Sequence, residues 1–255
     1  MTDVALMRRR SIMRCFDRAA DSYDSYAELQ FQVGLQLVRA IQKQATGFLM
    51  SADVGCGTGL LTNQLVEHLS IARIFPIDIS TKMVMRCQQN LLRHRKNCLV
   101  GDFNFLPFFS NSMELIFSNM TLQWSFDLVA TLQELLRCLK VGGFLAFTLF
   151  VEGTLENVRE LLNINSFYST QFLNALLRQL PVEERLFETA THEKHFQDLW
   201  SLIAFFKKTG ANYTAEKKSF STMREYHQKI ILSKGSHPIN ASFNVATCIL
   251  RKIER

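Results

Sequence analysis

The chain has 255 residues, enough for one large domain or two small ones, and 47% apolar content with only 4 prolines and 11 glycines describes a folded, core-burying protein. A formal net charge of +6 and a pI near 9.1 favour an acidic partner, with basic clusters at Arg8-Arg9-Arg10, Arg93-His94-Arg95-Lys96, Lys207-Lys208 and Lys217-Lys218. None of these is interleaved with aromatic residues as an RNA-stacking surface would be, which disfavours nucleic acid. The six cysteines lie at least 11 positions apart, excluding a CxxC pair for zinc, haem or redox work. No apolar run approaches the roughly 18 residues that span a bilayer, and none follows the arginines as a signal-peptide core. The expectation is a cytoplasmic protein without a metal site or membrane span.

After a polar, arginine-rich start, residues 16–38 read as one or two helices, and an apolar run opened by Gly47 is the first strand. That strand ends at Asp53-Val54-Gly55-Cys56-Gly57-Thr58-Gly59, with three glycines in five positions. Glycine accepts positive φ and lets a ligand approach the backbone, and the following helix turns its first amides toward whatever is bound. A dinucleotide fingerprint needs its third glycine five positions after the first, whereas Gly59 comes four after Gly55 and Leu60 takes the fifth, so NAD is disfavoured. Leu61, Leu65 and Leu69 mark a helix over 60–69, residues 71–78 a second strand, and Ser80 or Thr81 caps a helix with Met83, Val84, Cys87 and Leu91 inward. Short strands at 97–101 and 113–119 precede an amphipathic helix carrying Leu128, Leu132, Leu135, Leu136 and Leu139, stopped by Gly142-Gly143. A fifth strand at 144–151 does not alternate and is buried on both faces. Beyond it lie a helix near 156–162, an irregular stretch to 184, a strand around 187–196, a helix with Leu199, Leu202, Ile203 and Phe206 on one face, a polar insertion over 210–240 and a last strand at 242–251. Alternating strands and helices require crossovers, hence an α/β, doubly wound, mostly parallel sheet.

In such a sheet a ligand sits at the carboxyl ends of the strands. Asp53 and Cys56 belong to the glycine loop there, Cys56 as a small filler rather than a nucleophile. Asp78, 19 residues beyond Gly59, is placed to accept two ribose hydroxyls, with Ile79 and Met83 beside it. Asp102 and Phe103 could hold an adenine amino group and ring, and Asn119 opens Asn119-Met120-Thr121-Leu122-Gln123-Trp124 over the reacting group. His192-Glu193-Lys194-His195 lacks the HExxH order of a metal site.

The acidic-aliphatic-Gly-x-Gly-x-Gly loop resembles the first motif of class I methyltransferases that use S-adenosylmethionine. From Phe16 to Asn165 the chain looks most like the malonyl-acyl-carrier-protein O-methyltransferases of biotin synthesis. Phe16-Asp17-Arg18-Ala19-Ala20-Asp21-Ser22-Tyr23-Asp24, continuing to Ala27-Glu28-Leu29-Gln30, is similar to that family's opening helix, whose tyrosine covers the cofactor, a role that falls to Tyr23. Ser118-Asn119-Met120-Thr121-Leu122-Gln123-Trp124 is similar to its loop after strand four, which implies Tyr23, Gln123 and Trp124 as the substrate pocket. Phe147-Thr148-Leu149 with Gly153-Thr154-Leu155, and Lys207-Lys208-Thr209-Gly210-Ala211-Asn212, extend the likeness. Val141 stands where a proline usually precedes the two glycines, and residues 216–242 match poorly.

The resemblance implies a single domain, 1–255, with a seven-stranded sheet: an N-terminal helical lid over 1–44, a cofactor half over 45–152 and a substrate-side half over 153–255 that carries an insertion before the last strand. It implies S-adenosylmethionine as cofactor, malonyl-loaded acyl-carrier protein or malonyl-coenzyme A as acceptor, and no general base, since a carboxylate is already ionised. The residues themselves leave three other readings open: carbon or phenol methylation as in quinone synthesis, RNA methylation, and a non-catalytic assembly factor that keeps the fold.

Overall fold

The computed structural model describes residues 3–91, 97–159, 165–212 and 238–254. The basic groups at 93–96 and 217–218, most of the expected insertion and the end of the expected 156–162 helix lie outside them. In chain order the elements are α1 (Asp3–Ala19), α2 (Tyr23–Tyr26), α3 (Glu28–Gln42), β1 (Gly47–Val54), α4 (Leu60–His68), β2 (Ser70–Asp78), α5 (Thr81–Asn90), β3 (Leu99–Val100), β4 (Met113–Asn119), α6 (Leu128–Cys138), β5 (Leu139–Phe150), α7 (Thr170–Leu177), β6 (Val182–Phe196), α8 (Leu199–Lys208) and β7 (Ile239–Lys252).

Helix starts follow side-chain chemistry. Ser80 Oγ accepts the Met83 amide at α5, Asp127 accepts that of Ala130 at α6, Ser169 accepts that of Phe172 at α7, and Asp198 with Ser201 forms a capping box at α8. α4 differs: it begins at Gly59, in the left-handed region at φ 83°, with no side-chain cap.

The strands form one sheet in the order β3-β2-β1-β4-β5-β7-β6. The first five run parallel, while β7 is antiparallel to both β5 and β6. Alternation along β4 and β5 divides the core. Leu115, Phe117 and Ala146 pack with Leu37, Val38, Ile41 and Leu65 of α3 and α4. Ile116, Leu145, Phe147 and Leu149 pack with Leu132, Leu135 and Leu136 of α6 and with α7 on the other face. Burial on both faces explains why these strands read as unbroken apolar runs. α8 covers the end of the sheet through Leu199, Leu202 and Phe205 against Phe243 and Val245.

Four expectations are corrected. The polar start is helical from Asp3, because its arginines hide an apolar stripe at Ile12, Cys15 and Ala19. The stretch to 184 contains α7, signalled by Ser169 and by Phe172, Leu173, Leu176 and Leu177. Gly142-Gly143 do not stop α6, which ends at Cys138 and runs straight into β5. They form a bulge in which Met113 faces Leu139 while Leu115 already faces Phe144, and a Cβ on Gly143 would stand 2.9 Å from the Glu114 carbonyl oxygen. β6 starts at Val182 rather than 187, its first half being an exposed, acid-rich edge without apolar alternation. The expected 156–162 helix is described only as a 3₁₀ turn, Glu156–Val158. No helix among the described residues is long and apolar enough to cross a membrane.

Candidate active site

Strand order reverses between β1 and β4, and the chain segments leaving their carboxyl ends separate around a cleft enclosing about 770 Å3 out to its mouth. The glycine loop contributes Gly55 and Gly57, and the end of β2 contributes Asp78 and Ile79, with Met83 behind them. Asp102 and Phe103 enter from the end of β3, Asn119 and Trp124 from the end of β4, and Tyr23 from α2. Asp53 and Cys56 border an adjoining pocket of about 410 Å3 that shares Tyr23, Gly55, Gly57 and Asn119 with the cleft. Gly59 and Gln123 line neither.

Each glycine of the loop has its own cause. A Cβ on Gly55 would meet Thr121 Oγ1 at 2.1 Å, so this residue lets the loop after β4 close on the loop after β1. Gly59 yields to Cys87 of α5, whose Sγ would lie 2.7 Å from a Cβ. At Gly57 the nearest atom is Tyr23 Cε1 at 3.8 Å, which leaves bare backbone facing the cleft beneath the tyrosine ring.

Asp78 organises this floor. Its Oδ2 accepts the Gly57 amide at 3.0 Å and its Oδ1 accepts that of Ser80 at 2.8 Å, with lone pairs remaining on both oxygens. Removal from water raises its carboxyl to about 6 against those two bonds. Asp53 lies deeper, 1% exposed, accepting the Thr62 hydroxyl at 2.5 Å, and burial raises it to about 7. Cys56 is pushed up to about 12 by burial and stays a thiol, in keeping with a filler.

The N-terminal helices form a cover. Arg9, Ile12 and Phe16 of α1 line the cleft, and Phe16 meets Trp124 edge to face at 5.7 Å. Asp17 accepts the Ser80 hydroxyl at 2.6 Å and the Lys82 amide at 3.1 Å, while Asp24 accepts the Thr58 hydroxyl at 2.5 Å. These bonds hold α1 and α2 against the start of α5 and the glycine loop. Asp102 is held by Arg9 at 2.9 Å and by the Asn104 amide and side chain. Arg9, Ile12, Phe16 and Thr121 were not foreseen. Their signals were the i, i+3, i+7 spacing of the first three and the position of Thr121 one residue after Met120, whose φ of 48° turns the chain sharply.

The Gln-Trp pair splits. Trp124 faces the cleft, whereas Gln123 turns back within its 3₁₀ turn and donates to the Met120 carbonyl at 2.6 Å. Asn119 donates to the Gln30 carbonyl and accepts the Thr148 hydroxyl, tying β4 to α3 and β5. His195 bonds Asn240 across the β6 and β7 edge, remote from the cleft.

The donor set fits an adenosyl group: bare glycine backbone, a carboxylate with free lone pairs at the end of β2, and apolar walls from Ile79, Met83 and Phe103. Residues 52–147 match a family model described as a methyltransferase domain. The fold is shared with a chain of the complex between the Haloferax volcanii Trm112 methyltransferase activator and a methyltransferase (TM-score 0.65, 17% identity, 94% of this chain and 98% of that one). It is also shared with geranyl diphosphate C-methyltransferase from Streptomyces coelicolor (TM-score 0.56, 14% identity, 86% and 78%). The chain thus carries a methyltransferase domain on the fold of the class I, S-adenosylmethionine-dependent methyltransferases. Within that class it is similar along nearly its whole length to the malonyl-[acyl-carrier protein] O-methyltransferases. It is 27% identical to one from Coxiella burnetii over 96% of this chain and 97% of that protein, and 29% identical to that of Methylococcus capsulatus over 93% and 91%.

Proposed function

We propose that this enzyme methylates the free carboxylate of a malonyl thioester carried on acyl-carrier protein. Near full-length likeness to proteins of that name supports the acceptor, and one feature of the cleft carries the choice of chemistry. A phenol must give up a proton to attack, and an activated carbon must lose one after it has taken the methyl, so both call on a base. Among the described residues lining the cleft, the ionisable side chains are Arg9, Tyr23, Asp78 and Asp102. Asp102 is held by Arg9, Asp78 lies at the adenosyl end, where its remaining lone pairs would go to the cofactor, and burial lifts the Tyr23 phenol well above its usual range. A carboxylate needs no such base, because it is ionised at neutral pH.

When bound, the cofactor supplies a methyl group on a sulfonium centre. The protein's own part is positioning and exclusion of water. Gly57 and Asp78 would hold the adenosyl end, with Ile79, Met83 and Phe103 as its apolar walls. Asp102 would receive the adenine amino group if Arg9 shares the carboxylate. Tyr23, Phe16 and Trp124 would close the reacting end. Charge on both partners disappears as methyl passes between them, so a dry aromatic enclosure that fixes their approach supplies most of the acceleration. We place the reaction in the cytoplasm, a reducing compartment in which six free, buried cysteines persist as thiols.

The test is incubation with labelled cofactor and carrier protein loaded with malonyl or acetyl groups. Label should enter the malonyl form as a base-labile ester and leave the acetyl form untouched. Absence of label from the malonyl form would overturn the reading.

A further inference from the structure

α1 has two opposite faces. Arg9, Ile12 and Phe16 point into the cleft, and half a turn around the helix Met7, Arg10, Arg14 and Arg18 form a row toward solvent. Met7 is 69% exposed, and the three arginines are exposed as well. Among the described residues Arg10 and Arg14 enter no ion pair, and the acids that follow in the chain are committed elsewhere. Asp17 caps α5, Asp21 pairs with Arg86, and Asp24 takes the Thr58 hydroxyl. α8 prolongs the strip: Ser22 Oγ donates to the Lys208 carbonyl at 3.2 Å and Gly210 packs on Phe16, which puts the exposed Lys207 and Lys208 beside the Arg18 end of α1.

Resting on the acceptor assignment above, we propose that the outward face of α1, extended by Lys207 and Lys208, is the docking surface for an acidic acyl-carrier protein. From Met7 to Arg18 the row runs about 17 Å at 1.5 Å per residue, and Lys207 and Lys208 extend it to a length suited to one helix of a small partner. Met7 supplies an apolar anchor among charges that steer the encounter. Because this helix is also the wall of the cleft, a partner seated outside it holds its tethered acyl group within reach of the mouth. Steering by like charges on one face acts on the rate and concentration dependence of encounter, leaving the chemical step alone.

The experiment compares malonyl-loaded carrier protein with malonyl-pantetheine, which keeps the reacting end and lacks the carrier. In R10E/R14E and in K207E/K208E, KM for the loaded carrier should rise about tenfold or more at low salt, and the dependence of KM on salt should flatten. Turnover of malonyl-pantetheine, cofactor affinity and melting temperature should stay at the unaltered values. R178E, at the opposite end of the sheet before β6, should leave KM for the carrier unchanged. An unchanged KM for the carrier in both double variants, with both thioesters still methylated, removes the docking surface and leaves the acceptor assignment standing. Equal losses on the carrier and on malonyl-pantetheine also remove it. Failure of the unaltered protein to methylate either thioester removes the acceptor assignment and this surface together.

Discussion

β4 and β6 are opposite extremes of one sheet. β4 is buried along nearly its whole length, and the chain leaving it is fixed by Asn119 to Thr148, by the Met120 amide to β5 and by Thr121 against Gly55. β6 exposes most of its residues and displays Glu183, Glu184, Glu188 and Glu193 along an edge. A strand packed on both faces can hold the residue after it to a fraction of an ångström, and the floor of the cleft is made of such residues. The cover of α1 and α2 is instead held by a few hydrogen bonds and two ion pairs, Arg9 to Asp102 and Asp21 to Arg86, with α8 supporting its far end. On the proposed function, cofactor affinity would rest on the buried parallel strands and acceptor handling on the helices laid across them.

Substitutions should therefore separate the two. The largest effect is expected at Gly55→Ala, where positive φ and a Cβ 2.1 Å from Thr121 Oγ1 together cost about 2–5 kcal/mol of stability, read by urea unfolding, with cofactor binding lost in calorimetry. Next comes Asp78→Ala. Loss of the carboxylate should raise the cofactor dissociation constant by about 10–100-fold, or roughly 1.5–3 kcal/mol, and an unchanged constant would reject Asp78 as a cofactor ligand. Trp124→Ala probes the cover: turnover should fall about tenfold while the cofactor constant moves less than about threefold, since the enclosure opens where charge is being neutralised. A lowered melting temperature with normal turnover would instead make Trp124 a packing residue for Phe16.

A fourth test concerns pH. Asp53 ionises at 3.8 in the unfolded chain and near 7 when folded, so between those values the folded protein binds more protons. Its contribution to stability is complete below about 4 and is lost as pH rises through 7. The melting temperature of cofactor-free protein should thus fall from pH 5 to pH 8. Burial of His192 acts in the opposite sense over part of that window, so the informative comparison is with Asp53→Asn, in which the fall should be shallower. Identical slopes in the two proteins would place the pH dependence elsewhere.

The sheet and the glycine loop were legible because their causes are local. Three glycines between strand and helix, and acids at strand ends, announce themselves within a few residues. The bulge at Gly142-Gly143 was not legible: a glycine pair after an amphipathic helix is also the ordinary way to end one, and only the register against β4 distinguishes the two. Arg9, Ile12 and Phe16 escaped because the cleft they line is built from residues far along the chain, and their three-residue stripe is interrupted by arginines. Gln123 is implied together with Trp124 by the resemblance of the whole loop, but neighbours in a 3₁₀ turn point about 120° apart, and here only Trp124 faces the cleft.

The strand order has a consequence for how the chain reaches its final form. Among the described residues β7 is the last strand in sequence yet lies between β5 and β6, so β6 has no hydrogen-bonding neighbour there until β7 arrives. During synthesis β6 must wait with its backbone unsatisfied, and such a segment is a template for pairing with another molecule. Its four glutamates and the basic residues between them leave few apolar side chains to offer a stranger, which disfavours such pairing. The charges that blurred this strand in the sequence are of the kind that keep an exposed edge from pairing with another chain.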